Sequence, residues 1–206
     1  MTKSFSHFDT IPSHLMDIID EYLVENFDGQ MQTSRLMGNV ENIDKRSSKN
    51  AWVPTSTWVG GLMWHYFKRA NDDYFHYDLN CIDGENMQYT QYGLNEHYHW
   101  HQDEGIASLY KPQASGTRID QNLVQDFINR EAEQCRKLSC SLQLSDPDDY
   151  EGGDTQVRDV DDSMVTIPKE RGALFFFDSR CQHRAKSVQK GMRKSLISWA
   201  VGPRWR

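Results

Sequence analysis

Glu96-His97-Tyr98-His99-Trp100-His101-Gln102-Asp103-Glu104 places three histidines and an aspartate at every second position. Residues two apart in an extended strand point to one side, so His97, His99, His101 and Asp103 are expected to share a face. The same period of two runs outward from this stretch. Residues 74–79 and 87–100 read as extended, and further strand-like runs fall at 137–144, 155–160, 164–167, 173–177 and 194–201. Turn signals separate them: Asp146-Pro147-Asp148, Glu151-Gly152-Gly153, Pro168 to Gly172, and Lys190-Gly191. Many short strands in succession suggest an antiparallel barrel or a double-sheet jelly roll.

Upstream the period changes. Between residues 11 and 27 the apolar positions Leu15, Ile18, Ile19, Tyr22 and Leu23 recur at helical steps, with Thr10 or Ser13 as candidate caps and Asp28-Gly29 as a stop. Between 56 and 71 a second series, Trp58, Val59, Leu62, Met63, Tyr66, Phe67 and Ala70, predicts another helix. Gly60-Gly61 weakens it by roughly 1 kcal/mol per glycine relative to alanine. Residues 28–55 are polar and carry no clear period. Residues 104–136 interrupt the strands with a polar stretch and a short helical pattern around 122–134, the length expected of a functional lid or loop. The reading is a single domain over residues 1–206, mainly β with N-terminal helices: a helical support region at about 1–73 and a β core at about 74–203.

Composition narrows the function. A chain of 206 residues is long enough to bury a real core without metals or disulfides. With 23 basic against 30 acidic residues, a net charge of −7 argues against a broad nucleic-acid-binding surface. No apolar run approaches 18 residues, so no membrane-spanning helix is expected, and the start Met1-Thr2-Lys3-Ser4-Phe5 has no apolar stretch of signal-peptide type. Cys81, Cys135, Cys140 and Cys181 lack close pairing and read as free thiols in a reducing, cytoplasmic compartment.

Four side chains on one straight strand cannot all grip one ion, but neighbours at i and i+2 can. His101 and Asp103 are therefore a candidate ligand pair, and His183, beyond Phe175-Phe176-Phe177-Asp178, is the candidate for a third. Two imidazoles and a carboxylate on one triangular face leave three open positions, which suits non-haem Fe(II) and O₂ chemistry. Taken alone, a His-x-Asp pair is common, and a histidine cluster is also an ordinary feature of a solvated strand. Arg193 adds to it. After the Lys190-Gly191 turn, Arg193, Ser195, Ile197 and Trp199 fall on one face of the returning strand. An arginine pointing into a barrel requires a carboxylate partner; its fork offers two parallel hydrogen bonds, and a serine hydroxyl can add a third. An isolated arginine would otherwise be read as exposed on a barrel rim.

Taken as an ordered set, these residues resemble the Fe(II)/2-oxoglutarate-dependent dioxygenases, and within them the prolyl 4-hydroxylase-like branch. The resemblance covers about residues 74–203. It rests on Gln88-Tyr89-Thr90-Gln91-Tyr92-Gly93, on Tyr98 to Asp103, and on Leu142-Gln143-Leu144-Ser145 leading into Tyr150-Glu151-Gly152-Gly153-Asp154. It continues through His183-Arg184, Gly191-Met192-Arg193-Lys194-Ser195-Leu196, Trp199 and Gly202-Pro203.

The resemblance implies a double-stranded β-helix (jelly roll) with helices packed on one sheet. It implies iron held by His101, Asp103 and His183, and 2-oxoglutarate held by Arg193 with Tyr92 and Ser195. Tyr98 and Trp199 would lie near the substrate. The cosubstrates implied are 2-oxoglutarate and O₂, with ascorbate as an optional reductant, and the products include succinate and CO₂. The acceptor implied is a peptidyl proline, with a small molecule as the alternative. Ala185-Lys186-Ser187-Val188 departs from the Pro-Val pair frequent in relatives, a change confined to turn geometry. Trp100, Phe175 and Phe177 are expected either as an apolar shell around the site or as plain core. His97 and His99 are expected to support the ligands or lie on the surface. Two rival readings remain. One is a cupin-type metalloenzyme without 2-oxoglutarate, built on His97, His99 and Glu104; the other is an inactive jelly-roll binding module.

Overall fold

The computed structural model describes residues 6–34, 42–82, 86–104, 134–159, 162–203 and 205. In chain order the first half carries β1 (Ser6–Thr10), α1 (Ser13–Phe27), β2 (Gln32–Thr33), β3 (Arg46–Ser47), β4 (Lys49–Val53), α2 (Trp58–Ala70), β5 (Cys81–Ile82), β6 (Met87–Tyr92) and β7 (His97–His101). Among the described residues the second half is all strand apart from one short turn of helix: β8 (Gln134–Gln143), β9 (Tyr150–Gly152), β10 (Thr155–Arg158), β11 (Met164–Thr166), β12 (Ala173–Asp178), β13 (His183–Ala185), β14 (Val188–Gly191) and β15 (Arg193–Pro203).

The expected helices are present. In α1, Met16, Ile19, Leu23 and Phe27 are buried, each contributing about 1.5–3 kcal/mol relative to exposure. Neither Thr10 nor Ser13 caps it. Pro12 occupies the cap position at φ −55° and its carbonyl accepts from Leu15 and Met16, because proline's fixed φ already suits entry to a helix. In α2 the Thr57 hydroxyl accepts from the Gly60 amide at 3.4 Å. A β-carbon at Gly60 would lie 2.0 Å from the Thr55 carbonyl oxygen, whereas one at Gly61 would meet nothing within 4 Å. Close backbone approach therefore requires glycine at the first position only.

Both helices pack on one face of a large antiparallel sheet, ordered β1-β12-β8-β15-β6-β4-β2 among the described residues, with β5 also paired to β15. Its helix-facing residues (Met87, Tyr89, Leu138, Cys140, Leu142, Leu174, Phe176, Leu196 and Ala200) join α1 and α2 in the main core. A smaller sheet, β11-β10-β13-β7-β3, faces the other side. There Val157 and Ile167 pack with Phe175 and Phe177 of the large sheet. This is the jelly roll expected, with helices on one sheet.

Two local expectations differ, and a third falls mostly outside the described residues. Residues 74–79 are not a strand: α2 runs into a π-helical turn over Asn71–Phe75 and His76 turns left-handed at φ 54°. The Asn71 side-chain amide both donates to and accepts from the Tyr77 backbone, meeting locally the groups a strand partner would otherwise satisfy. The N-terminal region is not helical alone; β1, β2, β3 and β4 come from it. The helical pattern at 122–134 and nearly all of the loop at 104–136 lie outside the described residues, and residues 134–136 begin β8.

Candidate metal centre

β7 and β13 lie side by side with His183 opposite His101. Just past the end of β7, the amides of Asp103 and Glu104 both donate to the Ser179 carbonyl at 3.1 and 3.0 Å. This turns the Asp103 carboxylate back between the two imidazoles. One of its oxygens is 4.0 Å from His101 Nε2, and the other is 3.5 Å from His183 Nε2. One ligand-capable atom from each residue lies within 4.8 Å of the others.

Both rings are oriented from behind. His101 Nδ1 lies 2.8 Å from the His99 carbonyl and His183 Nδ1 lies 3.2 Å from that of Cys181, which leaves each Nε2 facing inward as an acceptor. Burial, the neighbouring His183 and Arg46 push the His101 imidazole down to about 3, against the pull of Asp103, keeping it neutral and able to ligate. Burial alone would raise Asp103; the His183 and His101 imidazoles, Arg136 and the Ser139 hydroxyl outweigh it and hold the carboxyl below its ordinary range. Ser139 donates to Asp103 at 2.7 Å and contacts the Ser179 hydroxyl at 2.9 Å. Two imidazoles, one carboxylate and an apolar wall at Phe177, 4.7 Å from His183, make a donor set that fits Fe(II).

Strict alternation does not hold along β7. Its register against β13 shifts between His183 and Ala185, so two residues of β13 span three of β7. This bulge turns Tyr98 to the same side as His101, ring on ring at 3.5 Å. The His99 ring is exposed and supports the site through its carbonyl. Both His97 ring nitrogens lie near backbone carbonyls, those of Asn95 and Asp44. Among the described residues the only His/Cys/Asp/Glu group with metal-ligating spacing is His101, Asp103 and His183, so the cupin-like set of His97, His99 and Glu104 does not assemble. Trp100 is not beside the ligands either. It faces outward beneath Arg158 and Arg184; of the apolar residues named, Phe177 is the one beside the ligands.

Arg193 lies on the inner face of the large sheet, only 3% exposed. It pairs in register with Tyr92 and its guanidinium sits 5.7 Å from that ring. Its Nε donates to the Gln143 side-chain oxygen at 3.2 Å, while the Gln143 amide donates to the Tyr150 hydroxyl at 3.0 Å. A β-carbon at Gly153 would lie 3.0 Å from Val188 and 3.3 Å from the Arg193 side chain, and that glycine sits at φ 62°. Among the described residues Arg193 forms no ion pair. Ser195 lies two residues along on the same face, its hydroxyl fully buried with no hydrogen-bond partner. Trp199 follows, in register with Ser139 and under the Arg136 guanidinium at 3.9 Å.

Four contributors had no role assigned from sequence: Ser139, Gln143, Tyr150 and Arg46. The signal for the first two was present. In β8, Ser139, Ser141 and Gln143 alternate with Leu138, Cys140 and Leu142, marking one polar and one apolar face.

Residues 87–201 match the profile of the 2OG-Fe(II) oxygenase superfamily. Among similar sequences, a PKHD-type hydroxylase of Xylella fastidiosa (strain 9a5c) is 32% identical over 113 residues, covering 54% of this chain and 42% of the relative. A PKHD-type hydroxylase of Aliarcobacter butzleri (strain RM4018) is 32% identical over 85 residues, 41% of this chain and 36% of that one. The matched stretch thus spans about two-fifths of these relatives' length. Among solved structures, a prolyl-4-hydroxylase of Pseudomonas putida aligns with a TM-score of 0.66 at 14% identity, covering 98% of this chain and 95% of that one. A prolyl hydroxylase of Trichoplax adhaerens, solved in complex with a peptide fragment of the hypoxia inducible factor oxygen degradation domain, aligns with a TM-score of 0.67. It is 16% identical and covers 97% of this chain and 84% of that one.

Proposed function

Because this chain belongs to the 2OG-Fe(II) oxygenase superfamily, we propose that it is an Fe(II)- and 2-oxoglutarate-dependent hydroxylase whose acceptor is a prolyl residue of a peptide. One observation carries the reading: the His101, Asp103 and His183 ligand atoms converge on the inner side that also holds a buried Arg193 with no ion pair among the described residues. A buried guanidinium without a counter-charge is costly, and a bound dicarboxylate would supply that charge. The hydroxylase names of the sequence relatives and the peptide complex of the Trichoplax structure support the acceptor class.

In this reading His101, Asp103 and His183 hold the iron. With 2-oxoglutarate and O₂, bound Fe(II) supplies the oxidising chemistry, succinate and CO₂ leaving as coproducts. The rest is done by the chain's own groups. Arg193, kept in place by Gln143 and flanked by Tyr92, takes the distal carboxylate of 2-oxoglutarate, and the unpaired Ser195 hydroxyl adds a donor. Ser139 holds Asp103 in its ligating orientation. Tyr98 and Trp199 line the acceptor's approach. None of the four cysteines is disulfide-bonded among the described residues, which supports placing the chain in a reducing compartment. No described helix is long and apolar enough to cross a membrane.

Mass spectrometry of prolyl peptides incubated with Fe(II) and O₂, with and without 2-oxoglutarate, tests the activity. The expected result is the mass gain of one oxygen atom that depends on 2-oxoglutarate. Asp103→Ala is expected to reduce this gain and succinate formation to background while the far-UV circular dichroism is unchanged. Undiminished turnover in that variant would refute the ligand assignment. Absence of metal binding by the wild-type chain would favour the inactive binding module instead.

A further inference from the structure

A second buried arginine lies close to the metal centre. Arg46, on β3 of the small sheet, is 8% exposed. Its side chain reaches across the interior: Nη2 donates to Gln88 on the large sheet at 2.9 Å and Nε donates to the Ser48 hydroxyl at 3.2 Å. The guanidinium lies 4.6 Å from the Tyr98 ring, which in turn stacks on His101 at 3.5 Å. Arg46, Tyr98 and the ligand imidazole therefore form one continuous stack.

The surroundings of Arg46 are neutral. Ser48 passes its hydrogen bond to Ser34, and the Thr90 hydroxyl lies against the Gln88 oxygen that Arg46 uses. Among the described residues Arg46 forms no ion pair. Two of its five N–H donors are met by neutral oxygens, but its charge is not, the condition in which a buried cation calls for an anion. Position separates this charge from Arg193. Gln88 and Tyr92 mark the two arginines along the inner face of β6, four residues and so about 13 Å apart.

We propose that Arg46 anchors a carboxylate carried by the acceptor, so that this chain selects substrates with an anionic group close to the reacting carbon. The inference rests on the hydroxylase reading above and narrows its substrate class. Two sources carry the same chemistry: an acidic side chain next to the target residue, or the α-carboxylate of a free or C-terminal residue.

The test is calorimetric binding to the chain loaded with Mn(II) and 2-oxoglutarate without O₂, using matched probes. One pair is a blocked Gly-Glu-Pro-Gly peptide and its Gln counterpart; the other is N-acetyl-L-proline and its amide. The wild type is expected to prefer the acidic member of at least one pair by about tenfold or more, the worth of a charge-assisted hydrogen bond. The pair that shows the preference identifies the source. Arg46→Gln is expected to bring the ratio near one, Arg46→Lys to keep part of it, and neither to change 2-oxoglutarate affinity more than about twofold. No wild-type preference, a preference that survives Arg46→Gln, or a parallel loss of 2-oxoglutarate binding overturns the proposal. The wild-type comparison needs no variant, so a misfolded Arg46→Gln does not shield it. N-acetylglycine separates the two readings. If it binds through Arg46 as tightly as N-acetylproline, the anion site stands and the prolyl acceptor falls. If neutral prolyl probes bind as well as acidic ones, the prolyl acceptor stands and the role of Arg46 falls.

Discussion

The two faces of the large sheet are made by the same strands and have opposite chemistry. Toward the helices, β8 presents Leu138, Cys140 and Leu142, β12 presents Leu174 and Phe176, and β15 presents Leu196 and Ala200, all buried in one apolar layer. Toward the small sheet the alternate residues are Ser139, Ser141 and Gln143, Phe175 and Phe177, and Arg193, Ser195 and Trp199. Burial is almost equal on the two sides, but satisfaction is not. The apolar face is closed by packing, although the Ser198 hydroxyl within it is poorly satisfied. The inner face keeps, beside the unpartnered Ser195 hydroxyl, a guanidinium with no ion pair among the described residues, and that uncompensated charge is how a surface built for a ligand differs from a surface built for packing.

The sharpest way to break that comparison is to remove the charge from the inner face. Arg193→Ala is expected to raise the 2-oxoglutarate requirement by about two to four orders of magnitude, since losing one partner of a buried charge pair costs about 3–5 kcal/mol. Iron affinity, measured by calorimetry, is expected to change far less. Equal losses in both would place Arg193 in general packing instead. The reciprocal change is Leu142→Ala on the helix-facing side, where Leu142 lies between Leu174 and Leu196 in register. It is expected to destabilise the chain by about 2–5 kcal/mol in urea unfolding, with the 2-oxoglutarate requirement of the folded fraction unchanged. A shifted requirement at constant stability would mean that the two faces are not separable.

What could be read from sequence follows the same division. His101, Asp103, His183 and Arg193 were legible because their chemistry demands particular residue types at particular spacings, and these come together without any need for exact strand boundaries. The helices were legible from Leu15, Ile18, Ile19, Tyr22 and Leu23 and from Val59, Met63, Tyr66 and Phe67, because an apolar helical face repeats often enough to be counted, although the buried face of α1 is turned toward Met16 and Phe27 and leaves Ile18 exposed. The strands β2, β3 and β5 have two residues each, too few for a period to appear, and β1 is defined by its pairing with β12 rather than by its own pattern. The bulge in β7 was hidden for a different reason. A one-residue slip changes which side chains point inward without changing composition, so His99 looked equivalent to His101 until the pairing with β13 set them apart. Arg46 was silent because it stands alone in a polar stretch, and its relation to Tyr98 arises only when β3 and β7 pair.

Two serines on β15 carry the comparison to its finest scale. Ser195 and Ser198 are both fully buried and three residues apart, so they point to opposite faces of the strand. Ser195 faces the inner side with Arg193; Ser198 lies opposite Cys140 in the apolar layer, with only that thiol to bond. Each Ser→Ala change removes a poorly satisfied buried hydroxyl, so both variants are expected to be as stable as the wild type, or more so by about 1 kcal/mol, in thermal unfolding without cosubstrate. They should part when 2-oxoglutarate is added. Ser195→Ala loses a donor to the bound carboxylate and is expected to raise the requirement about threefold to tenfold, the worth of one hydrogen bond, while Ser198→Ala leaves it where it was. If the two variants respond alike to 2-oxoglutarate, Ser195 does not reach the cosubstrate, and the inner face owes its affinity to Arg193 and the metal ligands alone.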